Sequence, residues 1–317
     1  MLAASDWKLN TQHITLNTQQ MADADKLVKQ VEALLARLER LLPQEAPQTD
    51  WDASIAFRWR KKDGRGHIEP VRHVHRIALR DLRGVDVQKD LVERNTRQFV
   101  EGHPANNVLL TGARGTGKSS LIKALLNKYA PRGLRLIEVE KQDLVDLPDI
   151  VDRIAERPER FVLYCDDLSF EADESGYKAL KVVLDGSIAA ATENCLIYAT
   201  SNRRHLMPEF MQENLDYKHV GEEIHPSETS EEKVSLSERF GLWTTFYPFD
   251  QEDYLKIVAV WLEHFKVPGA GAETVQRAAL QWALQRGSRS GRVAWQFARD
   301  WAGKARMKAD GGRRKDE

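Results

Sequence analysis

Residues 107–119 read Asn107-Val108-Leu109-Leu110-Thr111-Gly112-Ala113-Arg114-Gly115-Thr116-Gly117-Lys118-Ser119, an apolar run that passes straight into the pattern G-x-x-x-x-G-K-[ST]. The residues that follow, Ser120-Leu121-Ile122-Lys123-Ala124-Leu125-Leu126, carry the apolar spacing of a helix. A strand before and a helix after is the setting in which this pattern grips phosphate. Glycines let backbone N–H groups turn inward around an anion, and the helix presents its positive end to the same oxygens. In that arrangement Gly112, Ala113, Arg114, Gly115, Thr116 and Gly117 form the cradle. Lys118 adds a point charge to the β and γ phosphates, and the Ser119 hydroxyl is placed to ligate magnesium. Average residue usage would supply the four fixed positions by chance in a chain this long about once in a hundred. The flanking pattern makes chance rarer still, so ATP and Mg2+ are the expected ligands.

Some forty residues on, Phe161-Val162-Leu163-Tyr164-Cys165 is a second continuous apolar run, and it ends in Asp166-Asp167. Such a strand delivers carboxylates to the edge of a phosphate site, in the manner of a Walker B motif. Asp166 is expected to hold hydrated magnesium, and Asp167 to orient or deprotonate the attacking water. Two acids at the end of a strand are otherwise ordinary loop residues; it is the preceding phosphate loop that lends them meaning. Glu171 is near enough in sequence to be a rival base.

Outward from these motifs, apolar runs at 108–110, 134–139, 161–165, 195–199 and 242–246 alternate with helical stretches at 119–129, 149–156 and 177–191. That alternation predicts an α/β core, a parallel five-stranded sheet covered by helices. Three further helices at 251–265, 273–286 and 289–307 predict a small helical domain, with Trp295, Phe297 and Trp301 in its core. Upstream, Leu27, Val31, Leu34, Leu38 and Leu41 are spaced by four and three, which predicts a long amphipathic helix within 17–42. It either packs on its own domain or forms a short coiled coil with a partner. Ile55, Phe57 and Trp59 alternate with Ala56, Arg58 and Arg60 ahead of Lys62-Asp63-Gly64-Arg65-Gly66, which predicts a β-hairpin. Its aromatic face could stack single-stranded nucleic acid or cover a core. The expected divisions are a regulatory or partner-binding N-terminal region at 1–78, the nucleotide core at 79–249, a helical lid at 250–306 and a disordered tail at 307–317.

With 47 Lys and Arg against 48 Asp and Glu, the chain has a net charge of −1, which provides no global field for nucleic acid. Any such contact would need a local patch. The two cysteines, Cys165 and Cys195, both lie in or at the start of apolar runs and have no C-x-x-C spacing, so neither a disulfide nor a zinc site is expected. No stretch reaches the length of a membrane span and residues 1–12 lack a signal-peptide core, so a cytoplasmic location is expected.

Taken in order, these motifs resemble those of the AAA+ ATPases across about residues 80 to 306. The chain looks like a bacterial AAA+ ATP-binding family catalogued as a domain of unknown function. Its Asp-Asp pair and Arg-Phe box are similar to those of replication initiators and helicase loaders, although the family's second Walker B acid is more often Glu. The resemblance implies further roles. Asn202, in Thr200-Ser201-Asn202, takes the place of sensor 1, which hydrogen-bonds the γ phosphate or the water. Arg239, in Ser237-Glu238-Arg239-Phe240-Gly241, takes the place of an arginine finger reaching a neighbour's ATP. Arg292 takes the place of sensor 2, with Arg289 the alternative, and Asp81-Leu82-Arg83-Gly84-Val85 resembles the segment that flanks adenine. A cap on a strand, a surface arginine or a lid arginine would look the same for each taken singly. An initiator would carry a DNA-binding domain beyond the lid, and none is expected in the residues after Met307.

Between Pro208 and Ser235 the chain is long and acidic and holds His219 and His225, at no usual metal spacing. A partner-facing loop ending at a capping box, Thr229 to Glu232, is expected. The leading expectation for function is a homo-oligomeric ATPase that hydrolyses Mg-ATP to remodel or load a protein or nucleic-acid client. The alternatives are a slow nucleotide-dependent switch and, further off, a small-molecule kinase. In a kinase the sensor and finger positions would be coincidences.

Overall fold

The computed structural model describes residues 26–34, 48–62, 64–169, 175–185, 193–202, 219–220, 223–224, 237–269 and 271–313. The chain divides into two compact units, residues 1–48 with 62–65, and residues 49–61 with 66–317. In the first unit, residues 26–34 form helix α1, on which Leu27, Val28, Val31 and Leu34 are exposed. The rest of the predicted 17–42 helix lies outside the described residues.

The second unit is built on one sheet. Its strands are β1 (Ala56–Lys62), β2 (Arg65–Pro70), β3 (Val108–Gly112), β4 (Leu134–Glu138), β5 (Arg160–Cys165) and β6 (Cys195–Thr200). A two-residue pair, β7 (His219–Val220) and β8 (Glu223–Ile224), stands apart from it, and β9 (Leu242–Phe246) completes it. The order across the sheet is β2-β1-β4-β5-β6-β3-β9. The helices are α2 (Asp86–Val100), α3 (Lys118–Tyr129), α4 (Leu147–Ile154), α5 (Ser175–Leu184), α6 (Gln251–His264), α7 (Glu273–Gln285) and α8 (Gly291–Arg313). All five predicted core strands are present and parallel, β4-β5-β6-β3-β9.

The hairpin corrects one expectation. Its first strand pairs in parallel with β4, Ala56 against Leu136 and Phe57 against Ile137, so it widens the core sheet instead of belonging to a separate N-terminal region. The cause is burial. Phe57 and Trp59 are 0% and 1% exposed and pack with Ile137, Leu163 and Phe161, an environment worth roughly 2–3 kcal/mol for each large side chain. These rings are core, which removes the reading in which they stack nucleic acid. Trp59 Nε1 also donates to Asp146 at 2.9 Å.

Alternation of side chains sends the two faces of the sheet into different cores. Val108, Leu110, Leu136, Val162, Tyr164 and Tyr198 face α2 and α3, whereas Leu109, Ile137, Phe161, Leu163, Ile197 and Ala199 face α4 and α5. Helix α2 was not anticipated. Its polar run Asp86-Val87-Gln88-Lys89-Asp90 hides an inner face of Val92, Asn95, Thr96 and Phe99. Asn95 and Thr96 meet the buried Tyr198 hydroxyl at 3.2 and 2.9 Å, so polar groups here take the place of apolar packing. Helices α6, α7 and α8 close the chain, with Tyr254, Leu262, Ala279, Ala283, Ala294 and Phe297 between them. The last helix continues to Arg313, past Met307 where its apolar pattern stops. Cys165 and Cys195 are free. No described helix is long and apolar enough to cross a membrane.

Candidate functional site

Because the core strands are parallel, their carboxyl ends share one edge, where ligands of open α/β sheets bind. Strand β3 ends at Gly112, β5 at Cys165 and β6 at Thr200, so the phosphate loop, Asp166-Asp167 and the Thr200-Ser201-Asn202 end converge. Strand β6 lies between the other two.

The loop needs its glycines. Gly112 has φ +115, and a Cβ there would stand 2.0 Å from the Phe246 carbonyl oxygen on β9. Gly117, at φ +103, precedes α3, and no side chain caps that helix start. Its first amides are thus left for an anion. Lys118 is 6% exposed and curls back to donate to the Gly112 and Ala113 carbonyls at 2.6 and 2.8 Å and to Asn202 Oδ1 at 3.1 Å. Burial pulls its pKa down from 10.5 to about 8, against the pull of Asp167 and Asp166.

Asp166 and Asp167 are held differently. Asp166 Oδ1 accepts from Ser119 Oγ at 2.9 Å and from Thr200 Oγ1 at 2.5 Å. Burial alone would raise the Asp166 pKa, but side-chain hydrogen bonds, that from Thr200 the largest, together with the nearby Lys123 charge outweigh it and hold the carboxyl below its ordinary range. Asp167 has φ +53, the left-handed region that non-glycine residues rarely occupy, at a cost of order 1 kcal/mol. Lys266 (φ +58) shares that region, but it closely follows α6, where such a residue is ordinary. Asp167 ends no helix. Its amide donates to Thr200 Oγ1 at 2.9 Å, its Oδ1 accepts from Asn202 Nδ2, and Arg114 Nη2 approaches Oδ2 at 3.5 Å. Asn202 thus links Lys118 to Asp167.

These groups line a cavity of ≈820 Å3. Leu82, Arg83 and Val85 of the segment expected to flank adenine form part of its wall, and Arg292 of α8 reaches it. Arg289 lies on a separate cavity of ≈790 Å3 between the outer face of the phosphate loop and α7. Geometry therefore separates two arginines that the sequence left as alternatives. Helix α8 starts directly on the loop, where Gly291 N donates to Gly115 O at 2.8 Å. A Cβ on Gly115 would meet Ser290 Oγ at 2.9 Å.

The residues present fit magnesium triphosphate. Ser119 Oγ and Asp166 are hard oxygen donors of the kind magnesium prefers, and a glycine cradle opens beside a buried ammonium. Bound there, the ion would neutralise charge on the β and γ phosphates. Arg239 stands elsewhere. It precedes Leu242, whose partner Val108 marks the end of β3 remote from the phosphate loop. Its Nε donates to Asp185 at 2.5 Å. Glu171 lies outside the described residues, as does most of 208–235.

Sequence reading missed several cavity residues. His75, Ile77 and Trp261 sit in segments without a recognisable motif, and Lys123 and Gln296 lie further along helices whose first turns carry the motifs. Trp295, expected in the lid core, lines the cavity, while Phe297, on another side of α8, is buried as anticipated.

A sheet of this order, with a glycine-rich loop after β3, acids after β5, a polar end on β6 and a closing set of helices, is the α/β architecture of the AAA+ P-loop fold. The chain belongs to the family described as "Protein of unknown function (DUF815)", whose profile matches residues 52–305. That span takes in the β1–β2 hairpin. No curated protein matches the chain. Among solved structures it is similar to a point mutant of Thermotoga maritima RuvB, at 15% identity and a TM-score of 0.47, covering 70% of this chain and 64% of that one. It therefore spans less than two thirds of the RuvB chain it matches. It is also similar to the replication initiator DnaA bound to AMPPCP and single-stranded DNA, at 17% identity, TM-score 0.47, and 75% and 67% coverage. A third similarity is to the FIGL-1 AAA domain in complex with ADP, at 17% identity, TM-score 0.42, and 72% and 85% coverage.

Proposed function

We propose that the chain binds Mg-ATP at this cavity and hydrolyses it within a homo-oligomer, coupling turnover to the remodelling or loading of a protein or nucleic-acid client. Lys118 and the loop amides hold the triphosphate, Ser119 and Asp166 hold magnesium, Asp167 with Asn202 positions water, and Arg292 carries the state of the nucleotide to the helical region.

The observation that carries the reading is a division of the machinery between two ends of one sheet. Lys118, Ser119, Asp166, Asp167 and Asn202 converge at the carboxyl ends of the strands. Arg239 stands toward the opposite end, before β9. An arginine there cannot stabilise phosphoryl charge in its own cavity, but it can do so in a neighbour's, and such a finger supplies roughly a thousandfold or more. To reach a neighbour's ATP Arg239 would exchange its contact with Asp185 for the phosphate.

The test is specific ATPase activity against protein concentration, for wild type and Arg239→Ala. A rise with concentration that the variant lacks is the expected result. A flat rate unaffected by Arg239→Ala would sink the oligomeric part of the reading and favour the nucleotide-dependent switch.

A further inference from the structure

Thr200 closes β6 and is 1% exposed, yet its hydroxyl is spent on neither its own backbone nor its own strand. It donates to Asp166 Oδ1 at 2.5 Å and accepts from the Asp167 amide at 2.9 Å. One oxygen on the neighbouring strand therefore touches both consecutive acids at the end of β5. The second contact falls on the amide of the residue with φ +53. Just beyond, Leu168 N donates to Thr200 O at 2.7 Å and Ser201 Oγ donates to Leu168 O at 2.7 Å, so the chain after Asp167 is tied to the same strand end.

A hydroxyl can do this because it donates and accepts at once. The donor side faces the carboxylate, which leaves the lone pairs for the amide. A side chain with only one of those abilities would satisfy one acid and release the other. The contact on Asp166 occupies one lone-pair direction of Oδ1 and, with that from Ser119, fixes the plane of the carboxyl group that would face a cation. The contact on Asp167 N holds the unusual backbone turn that sets the Asp167 carboxylate against Asn202 Nδ2.

We propose that Thr200 is a positioning residue: a buried hydroxyl clamp on β6 that orients the magnesium-binding carboxylate of Asp166 and fixes the backbone of Asp167 in its left-handed turn. The clamp acts through the two acids. It rests on the reading of the cavity as a Mg-ATP site. Groups that orient a metal ligand from behind usually change metal affinity or activity by roughly 10–100-fold when removed, and that is the scale expected here.

The experiment compares Thr200→Val, which keeps the shape and removes the hydroxyl, with Thr200→Ser, which keeps the hydroxyl and removes the methyl. Three quantities are read: ADP binding without magnesium, the magnesium concentration that half-saturates the enhancement of ATP binding, and kcat. For Thr200→Val, magnesium-free ADP binding stays within about twofold, the half-saturating magnesium rises about tenfold and kcat falls on the order of a hundredfold. Thr200→Ser returns both to within a few fold of wild type. Wild-type magnesium dependence and kcat in Thr200→Val overturn the clamp, as does a Thr200→Ser variant no better than Thr200→Val. Should Thr200→Val fail to fold, Thr200→Ser decides: near-wild-type magnesium dependence supports the hydroxyl's role, and a loss there overturns it. Failure of the wild type itself to bind nucleotide overturns the Mg-ATP reading and the clamp together, whereas failure of the variants to differ removes the clamp alone.

Discussion

The carboxyl-terminal edge of the sheet and its β1 flank both set cations beside carboxylates, but they satisfy those charges in opposite ways. On the flank the partners pair off: Arg58 with Glu138 at 2.6 Å, Arg60 with Glu140 at 2.6 Å and Lys61 with Asp146 at 2.7 Å. At the cavity, Lys118 is satisfied by carbonyl oxygens and an amide, and Asp166 by two hydroxyls. Neutral dipoles hold those charges in place without cancelling them. The lesson is that a site is marked less by how many charges it contains than by what they are bonded to. Lys118 and Asp166, held by dipoles, keep their field for a ligand, whereas the paired charges of the flank spend theirs on the fold.

Lys118→Ala and Asp167→Asn break the comparison hardest. Removing the ammonium from the cradle should weaken ATP binding by more than about a hundredfold, from a loss of about 3 kcal/mol or more. Asp167→Asn should leave equilibrium binding within a few fold and lower kcat by about a hundredfold or more, the usual worth of a positioned base. Binding of a fluorescent ATP analogue beside single-turnover hydrolysis checks both, and equal loss of binding in the two variants would refute the roles assigned to them.

Protonation sharpens the contrast at a smaller scale. With the Lys118 pKa lowered to about 8 by burial, the free site is charged at pH 7 and largely neutral at pH 9. A triphosphate favours the charged form, so binding at pH 9 should take up close to one proton and binding at pH 7 almost none. Affinity should then fall by up to about tenfold per pH unit above 8. The sign for stability is the reverse: a lysine depressed below its unfolded value of 10.5 burdens the ligand-free fold fully below pH 8, and relief comes as pH rises from 8 toward 10.5. Calorimetric titration in two buffers of different ionisation heat measures the uptake, and none at pH 9 would contradict it.

The smallest effect belongs to the flank. Arg58 and Glu138 are partly exposed, at 46% and 34% of their side chains. Arg58→Ala together with Arg60→Ala should cost about 1 kcal/mol or less in chemical denaturation and leave ATP turnover unchanged. A large loss of turnover would mean that the flank belongs to the functional machinery after all.

Much of this was legible in the residues. The phosphate loop, the acids after Cys165 and the polar end at Thr200 to Asn202 announce themselves, because each combines a run of apolar residues with an abrupt change to the side chains a phosphate site requires. The five parallel strands followed from the same alternation. Other parts carried no such mark. His75, Lys123 and Trp261 reach the cavity from separate segments, and nothing local distinguishes them from surface or core residues of the same type. Thr200 was visible as a polar residue at a strand end, but its two partners lie 34 and 33 positions away.

Local order along the chain determined which groups stand at the proposed phosphate and magnesium site, since backbone conformation and side-chain chemistry are properties of neighbouring residues: glycines that take positive φ, a lysine and serine at a helix start, acids closing a buried strand. Only the tertiary structure decided that β1 joins the core beside β4, that Arg292 and not Arg289 faces the cavity, that Arg239 stands toward the opposite end of the sheet, and that one hydroxyl holds both acids. Those outcomes depend on strand order and on which face of a helix is buried, and both are set by contacts between residues far apart in sequence.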